Sequence, residues 1–192
     1  MFEAISGLSA AFGLSGSAGL NAYIPLLVVA LAARFPMSDP LVKLQAPFDL
    51  LGSWWAIGLI AVLLVIEIVA DKIPAIDTVN DGIQTFIRPA AGAILFAGSA
   101  NVITDIHPIL SLGAGLLVAG GVHATKAAAR PVVTVTTAGV GNPVVSTLED
   151  IVAVVVSLLA VVLPIIAAVI LLVFLIFIIT IVRRWRRRRM VV

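Results

Sequence analysis

Six apolar segments separated by short polar stretches dominate this sequence and predict an all-α, polytopic transmembrane helix bundle. They cover about 8–33, 54–71, 86–103, 108–128, 148–163 and 165–182. The last two form one apolar block, which as a single helix would be about 48 Å long, against a hydrocarbon core of about 30 Å. Pro164 divides this block, because proline disrupts a helix interior. We therefore predict six spans, with five spans and a kinked final helix as the alternative.

The composition supports a membrane location. Hydrophobic residues make up 61% of the 192 residues, charged residues only 11%, and the mean hydropathy is +1.21. A soluble domain carries about 25% charged residues. We predict one transmembrane domain over residues 1–182, followed by a basic tail over 183–192. The absence of cysteine excludes thiol catalysis, disulfides, thiolate metal sites and iron–sulfur clusters.

The distribution of basic residues predicts the orientation. The arginine-rich segment Arg183–Arg189 should stay in the cytoplasm and bind anionic lipids of the bilayer, and we expect no nucleic-acid partner. Six spans then put both termini in the cytoplasm, in a multi-pass protein of the bacterial plasma (inner) membrane. They also put four more basic residues on the cytoplasmic side, namely Lys72, Arg88, Lys126 and Arg130.

The polar stretch between the second and third spans predicts a short amphipathic helix at residues 75–88. Pro74 suits the first turn of such a helix. Four polar residues then recur on one helical face, namely Asp77, Asp81, Gln84 and Arg88. A carboxylate at or inside a membrane is expensive unless it is paired, hydrated or bound to a cation. This face is therefore a predicted substrate- or ion-binding surface.

Two acidic residues, Glu67 and Asp71, lie one turn apart at the end of the second span. They are further candidates for a binding site, because Glu67 lies about a turn inside the predicted span. Two interpretations remain open. Either the carboxylates pair with Lys72, Lys126 or Arg130, or they form a proton or cation site.

The adjacent acids Glu149 and Asp150 open the fifth span shortly after Asn142, and all three are candidate site residues. The two acids either cap the helix or converge with Asp77 and Asp81 at the cytoplasmic end of the bundle. Clustered carboxylate oxygens suit Mg²⁺ or Ca²⁺. These four carboxylates are therefore the predicted metal ligands, and the sequence indicates no other cofactor.

Small residues crowd the first and fourth spans. They either let helices pack closely or mark a broken helix that lines a site, with Asn21 as its polar contact. Residues 8–22 also align without gaps on residues 110–124, which pairs Asn21 with His123. This alignment indicates either an inverted repeat of three spans each or chance similarity between glycine-rich segments. His123 is either a hydrogen-bonded interior residue or a ligand or proton carrier.

Three segments carry a family signal: SAGLNAYIPL at residues 17–26, DKIP at 71–74 with the polar residues that follow, and GVGNP at 139–143 with Glu149 and Asp150. From residue 13 to about 164 the chain resembles a family of small bacterial membrane proteins known as domain of unknown function 4126. The resemblance carries over no activity. It implies that polar elements from three places in the chain lie together.

No enzyme signature accompanies these polar residues, since GxSxG, HExxH and P-loop motifs are absent from the sequence. The first hypothesis is a small membrane transporter or channel for a cation, a proton-coupled solute or a lipid-linked anion. One alternative is a divalent-cation-dependent enzyme acting on a phospholipid head group. Another is a non-catalytic membrane scaffold with paired carboxylates, which Arg88 could bridge through its planar fork. The sequence leaves open whether the protein forms a homo-oligomer.

Overall fold

The computed structural model describes residues 2–35, 44, 46–99 and 107–164, and isolated positions between 166 and 180. This part of the chain is all-α and contains no strand. Its helices are α1 (Phe2–Leu20), α2 (Tyr23–Arg34), α3 (Trp54–Ala70), α4 (Pro74–Ser99), α5 (Pro108–Thr137) and α6 (Asn142–Val162), with a 3₁₀ helix at Phe48–Gly52. Two of these, α5 and α6, are long and apolar enough to cross a membrane.

The first predicted span is two helices, with a break at Asn21 and Ala22. Pro25 explains the break, because proline lacks an N–H and its ring would collide with the carbonyl group four residues earlier, that of Asn21. The prediction of one continuous crossing over 8–33 is therefore wrong. The break agrees with the alternative of a broken helix, and whether that break lines a binding site stays a prediction.

The central helix of the bundle is α1, which packs against α4, α5 and α6. It is antiparallel to α4. The ring of Phe12 stands edge-on to Phe96, and one turn further along α1 the hydroxyl of Ser15 donates to the carbonyl of Gly92 at 2.8 Å. The C-terminal end of α1 therefore points towards the end of the bundle where α4 begins.

The next helix, α2, returns in the opposite direction. Its first residue, Tyr23, lies near Gln84 in the first half of α4. Its last residue, Arg34, lies 5.0 Å above the ring centroid of Trp54, where α3 begins. Together α1 and α2 form a helical hairpin with a buried tip, since Asn21 is only 1% exposed. The start of α1 thus lies at the opposite end of the bundle from the α3–α4 and α5–α6 connections.

The predicted amphipathic helix at 75–88 is correct in position but too short. Helix α4 continues unbroken to Ser99 and so includes most of the predicted third span. Its apolar side faces outward, with Phe86 79% exposed, whereas Arg88 on the opposite side is completely buried. This arrangement is the reverse of that in a soluble protein, where the apolar side of a helix faces the core.

Gly19 and Gly115 allow close contact between helices, which agrees with the packing interpretation at these two positions. A Cβ atom built on Gly115 of α5 would overlap the carbonyl oxygen of Gly92 in α4. A Cβ atom on Gly19 of α1 would lie 2.5 Å from the carbonyl oxygen of Ala119 in α5. These three helices could not approach so closely with larger side chains.

Two other sequence predictions concern the internal repeat and the C-terminal part of the chain. The proposed repeat gains no support within the described residues, because α1 ends at Leu20 while the aligned Val122 lies in the middle of α5. Helix α6 ends at Val162, and Leu163 has non-helical angles of φ −137° and ψ 66°, which agrees with the predicted division at Pro164. The basic tail lies outside the described residues.

Candidate functional site

Arg88 lies at the centre of a buried polar cluster and contacts three side chains. Its Nη2 donates to Glu67 Oε1 at 3.0 Å, and its Nη1 donates to His123 Nδ1 at 3.0 Å. Nη1 also lies 3.7 Å from Asp81 Oδ1. Arg88 therefore bridges carboxylates from α3 and α4. We call this set, with two further α4 residues, the inner group: Glu67, Asp81, Gln84, Thr85, Arg88 and His123.

The partners of His123 determine its tautomer. An arginine can only donate, so Nδ1 of His123 accepts the bond from Arg88 and carries no proton. The ring is therefore neutral, with its proton on Nε2, which donates to Thr85 Oγ1 at 3.1 Å. The hydroxyl of Thr85 donates in turn to the backbone oxygen of Asp81 at 2.8 Å. His123 is thus a hydrogen-bonded interior residue, one of its two predicted interpretations.

Three buried oxygen atoms of the inner group have no hydrogen-bond donor among the described residues: Glu67 Oε2, Asp81 Oδ1 and Gln84 Oε1. Glu67 and Gln84 are each only 1% exposed. Tyr23, at the start of α2, lies near both of them and near Arg88. A buried acceptor without a partner costs about 1–3 kcal/mol, so these oxygens favour a bound ion or water.

A second set of charges lies closer to the α5–α6 connection. Oε2 of Glu149 accepts from two cations of α5, Lys126 Nζ at 2.8 Å and Arg130 Nη2 at 3.2 Å. This pairing joins the start of α6 to the second half of α5. Two further acids, Asp71 and Asp150, belong to the same set. We call it the outer group: Asp71, Lys126, Arg130, Glu149 and Asp150.

Asp71 connects the end of α3 to both neighbouring helices. Its Oδ1 accepts from Asn80 Nδ2 of α4 at 2.8 Å, and its Oδ2 accepts from Ser146 Oγ of α6 at 3.1 Å. Arg130 Nη2 lies 4.0 Å from the same Oδ2. Asp71 therefore shares a cation with Glu149.

The tip of the helical hairpin is built into the outer group. Asn21 Oδ1 accepts from the first two N–H groups of α2 at 3.0 and 3.1 Å and so caps that helix. Its Nδ2 donates to Asp150 Oδ1 at 2.9 Å. Lys126 Nζ donates at 3.2 Å to the carbonyl oxygen of Leu20, the last residue of α1. Lys126 of α5 thus binds a carbonyl group freed by the helix break, and Asp150 of α6 holds the side chain that caps α2.

We expect Asn21→Ala to lower the free energy of unfolding by about 2–3 kcal/mol, because it removes the cap of α2 and the partner of Asp150. Asn21→Ser keeps a capping oxygen and loses only the bond to Asp150, so its loss should be about 1 kcal/mol. Unfolding of the purified variants in detergent measures both values. Equal losses would show that the cap contributes nothing.

The structure brings most of the predicted site residues together, but not all. Asn142 lies apart from both groups and is hydrogen-bonded to Thr134, at 3.0 Å, across the α5–α6 turn. Asp77 lies on α4, but its side chain is outside the described part of the structure. Glu67 pairs with Arg88 rather than with Lys72, Lys126 or Arg130.

Sequence analysis missed several polar residues of the cluster as candidates. Tyr23 and Asn80 could have been found, since Tyr23 follows Asn21 by two residues and Asn80 lies on the same face of α4 as Gln84. Ser146 carried no such signal, because its role depends on the packing of α6 against the end of α3.

The four predicted metal ligands occupy different surroundings where the structure describes them. Asp81 lies beside Arg88, Glu149 beside Lys126 and Asp150 beside Asn21. Among the described side chains, no group of three His, Asp or Glu residues is placed to hold a metal ion. Because the Asp77 side chain is not among them, a Mg²⁺ or Ca²⁺ site with all four carboxylates stays a prediction.

A family model described as a domain of unknown function (DUF4126) matches residues 8–184. The matched region contains every residue of the inner and outer groups. No curated protein and no solved structure matches the chain.

Proposed function

The chain belongs to the DUF4126 family, and we propose that it is a small multi-pass membrane transporter or channel for a cation. The observation that carries this proposal is the buried polar cluster at the tip of the α1–α2 hairpin. The inner and outer groups together hold five carboxylates and three basic side chains. With all of these groups ionised, the cluster is negative as a whole, and a bound cation would balance it.

The outward surface of the bundle supports the multi-pass arrangement. Large apolar side chains are exposed along α3 as well as α5 and α6, for example Leu59, Val65, Leu117 and Ile151. Such a surface is unfavourable in water and favourable in lipid. We propose that α3 to α6 each cross the membrane, and that α1 and α2 enter and leave it on the same face.

The hairpin resembles a feature of transporter binding sites. In many transporters, discontinuous helices end near the middle of the membrane, and their free backbone groups lie beside the transported species. Here α1 ends and α2 begins at the buried Asn21, against Lys126 and Asp150. Unpaired or imperfectly paired charges at such a depth are expensive, which favours a functional reason for their presence.

Exposure along the cluster supports an entry route from one end. Asp81 and Glu149 have side chains 22% and 16% exposed, whereas Glu67, deeper in the bundle, is 1% exposed. We propose that this end faces the cytoplasm of a bacterial cell, because Lys72, Lys126 and Arg130 lie towards it.

With this hairpin we expect the N-terminus on the side opposite to the α5–α6 connection, and not in the cytoplasm as the sequence predicts. We expect cysteines introduced as Phe2→Cys and Leu50→Cys to react with a membrane-impermeant reagent from the same side, and Val140→Cys from the opposite side. The protein has no native cysteine, so each variant carries a single label. Labelling of residues 2 and 140 from the same side would contradict the hairpin and restore the prediction of a cytoplasmic N-terminus.

The proposed activity is tested by cation flux into proteoliposomes that contain the purified protein. We expect uptake of Na⁺ or Rb⁺ above that of protein-free vesicles, and loss of this uptake in Glu67→Gln. Ser157→Ala, which alters an α1–α6 contact outside both groups, should keep it. No flux from the folded wild-type protein with any tested cation would refute the proposal.

One observation favours the scaffold alternative as the second candidate. Each described carboxylate of the two groups lies beside a hydrogen-bond donor or a basic side chain. A purely structural network would predict variants that lose stability while no flux is ever measured. The enzyme alternative has no comparable observation among the described residues.

A further inference from the structure

We infer that the inner group binds a single monovalent alkali cation between α3 and α4, with Glu67 Oε2 and Gln84 Oε1 as ligands. This inference deepens the proposed function, on which it rests for its biological purpose, by naming the charge of the ion and the atoms that bind it.

The charge of the inner group selects a monovalent ion. With both carboxylates ionised, Glu67 and Asp81 contribute two negative charges, Arg88 contributes one positive charge, and His123 is neutral because its Nδ1 accepts from Arg88. Lys126, a basic residue of the outer group, is paired with Glu149 at 2.8 Å. The net charge of the inner group is thus negative by one unit. A divalent ion would leave an excess positive charge in a dry interior, which is expensive.

The available ligand atoms are those that an alkali cation prefers. Glu67 Oε2 and Gln84 Oε1 are buried and accept no hydrogen bond in the described structure. Both residues lie close to Tyr23 of the hairpin. Carboxylate and amide carbonyl oxygens can replace the hydration shell of an alkali cation, as backbone carbonyls do in selective channels. The unpartnered oxygens therefore have the chemistry of cation ligands.

Ordered water is the competing occupant. Arg88 Nε is a buried donor without a described partner, and a water molecule could satisfy it as well as the two oxygens. Water and an alkali cation differ in one measurable consequence. A bound cation makes the stability of the protein depend on the concentration of that cation at constant ionic strength, whereas bound water does not.

The test is thermal unfolding of the purified full-length protein in detergent. The salts are NaCl, KCl, MgCl₂ and N-methyl-D-glucamine chloride, compared at equal ionic strength. At an alkali-cation concentration roughly one hundred times Kd, we expect Na⁺ or K⁺ to raise the melting temperature by about 5–10 °C. The reference is the melting temperature in N-methyl-D-glucamine chloride. Equal melting temperatures in all four salts, which indicate water only, would overturn the inference. A response to Mg²⁺ alone would also overturn it.

Two matched variants localise the effect. Gln84→Leu removes a proposed ligand and should abolish the alkali-cation shift. Asn80→Leu, one turn earlier on α4, removes the bond to Asp71 and should keep the shift. If Gln84→Leu does not fold, Glu67→Gln replaces it, since it removes the net charge and keeps an oxygen for Arg88. Retention of the full shift in these inner-group variants would contradict the site.

A shift without flux would refute transport alone, and flux without a shift would refute this site alone.

Discussion

Arg88→Met is expected to lower the free energy of unfolding by about 3–5 kcal/mol, the usual loss when one partner of a buried ion pair is removed. Arg88 is fully buried and pairs with Glu67 at 3.0 Å while lying 3.7 Å from Asp81. Without its guanidinium, Glu67 and Asp81 would lose the basic side chain that they share. Denaturant or thermal unfolding in detergent measures the loss, and a value below about 1 kcal/mol would mean that the pair is solvated.

A double variant separates the charge effect from simple loss of packing. Glu67→Leu/Arg88→Met replaces the ion pair by apolar side chains of similar size, a change that is often neutral or stabilising. We therefore expect the double variant to recover most of the stability lost by Arg88→Met. If both variants are equally unstable, the loss comes from packing and not from an unpaired charge.

Gly115→Val is expected to destabilise the protein by about 3 kcal/mol or more, at the upper end of the usual cost of overpacking. A Cβ atom at this position would overlap Gly92 O and lie 2.8 Å from Ala93 Cα. Both atoms belong to the backbone of α4 and cannot rotate away, so the two helices would have to separate.

Gly113 provides a matched control on the same helix. A Cβ atom there meets nothing within 4 Å, so Gly113→Val should change stability by no more than about 0.5 kcal/mol. Unfolding of the two variants side by side checks the prediction. Similar losses at both positions would contradict the close α4–α5 crossing.

Local periodicity explains what could be predicted from the sequence. The polar face of α4 follows from the spacing of Asp81, Gln84 and Arg88, because that spacing requires only helical geometry. The break near Asn21 was one of two open interpretations, and Pro25 provides its local cause. The helical class and the end of α6 next to Pro164 likewise depend on short-range features.

Tertiary contacts explain what the sequence could not predict. The reversal between α1 and α2 depends on bonds such as that from Lys126 to the carbonyl of Leu20, between residues 106 positions apart. Hydropathy also cannot identify Arg88 as the partner of Glu67, since several basic residues were equally available. The continuation of α4 past the polar segment was missed because the change from polar to apolar residues looked like a boundary.

The most direct test of the account is cation flux through the double variant Glu67→Leu/Arg88→Met, measured in proteoliposomes beside the wild-type protein. The account predicts that the double variant folds with most of its stability and that its flux is lost, because the charged centre serves the ion and not the fold. Flux equal to that of the wild type, from a protein without Glu67 and Arg88, would contradict the account.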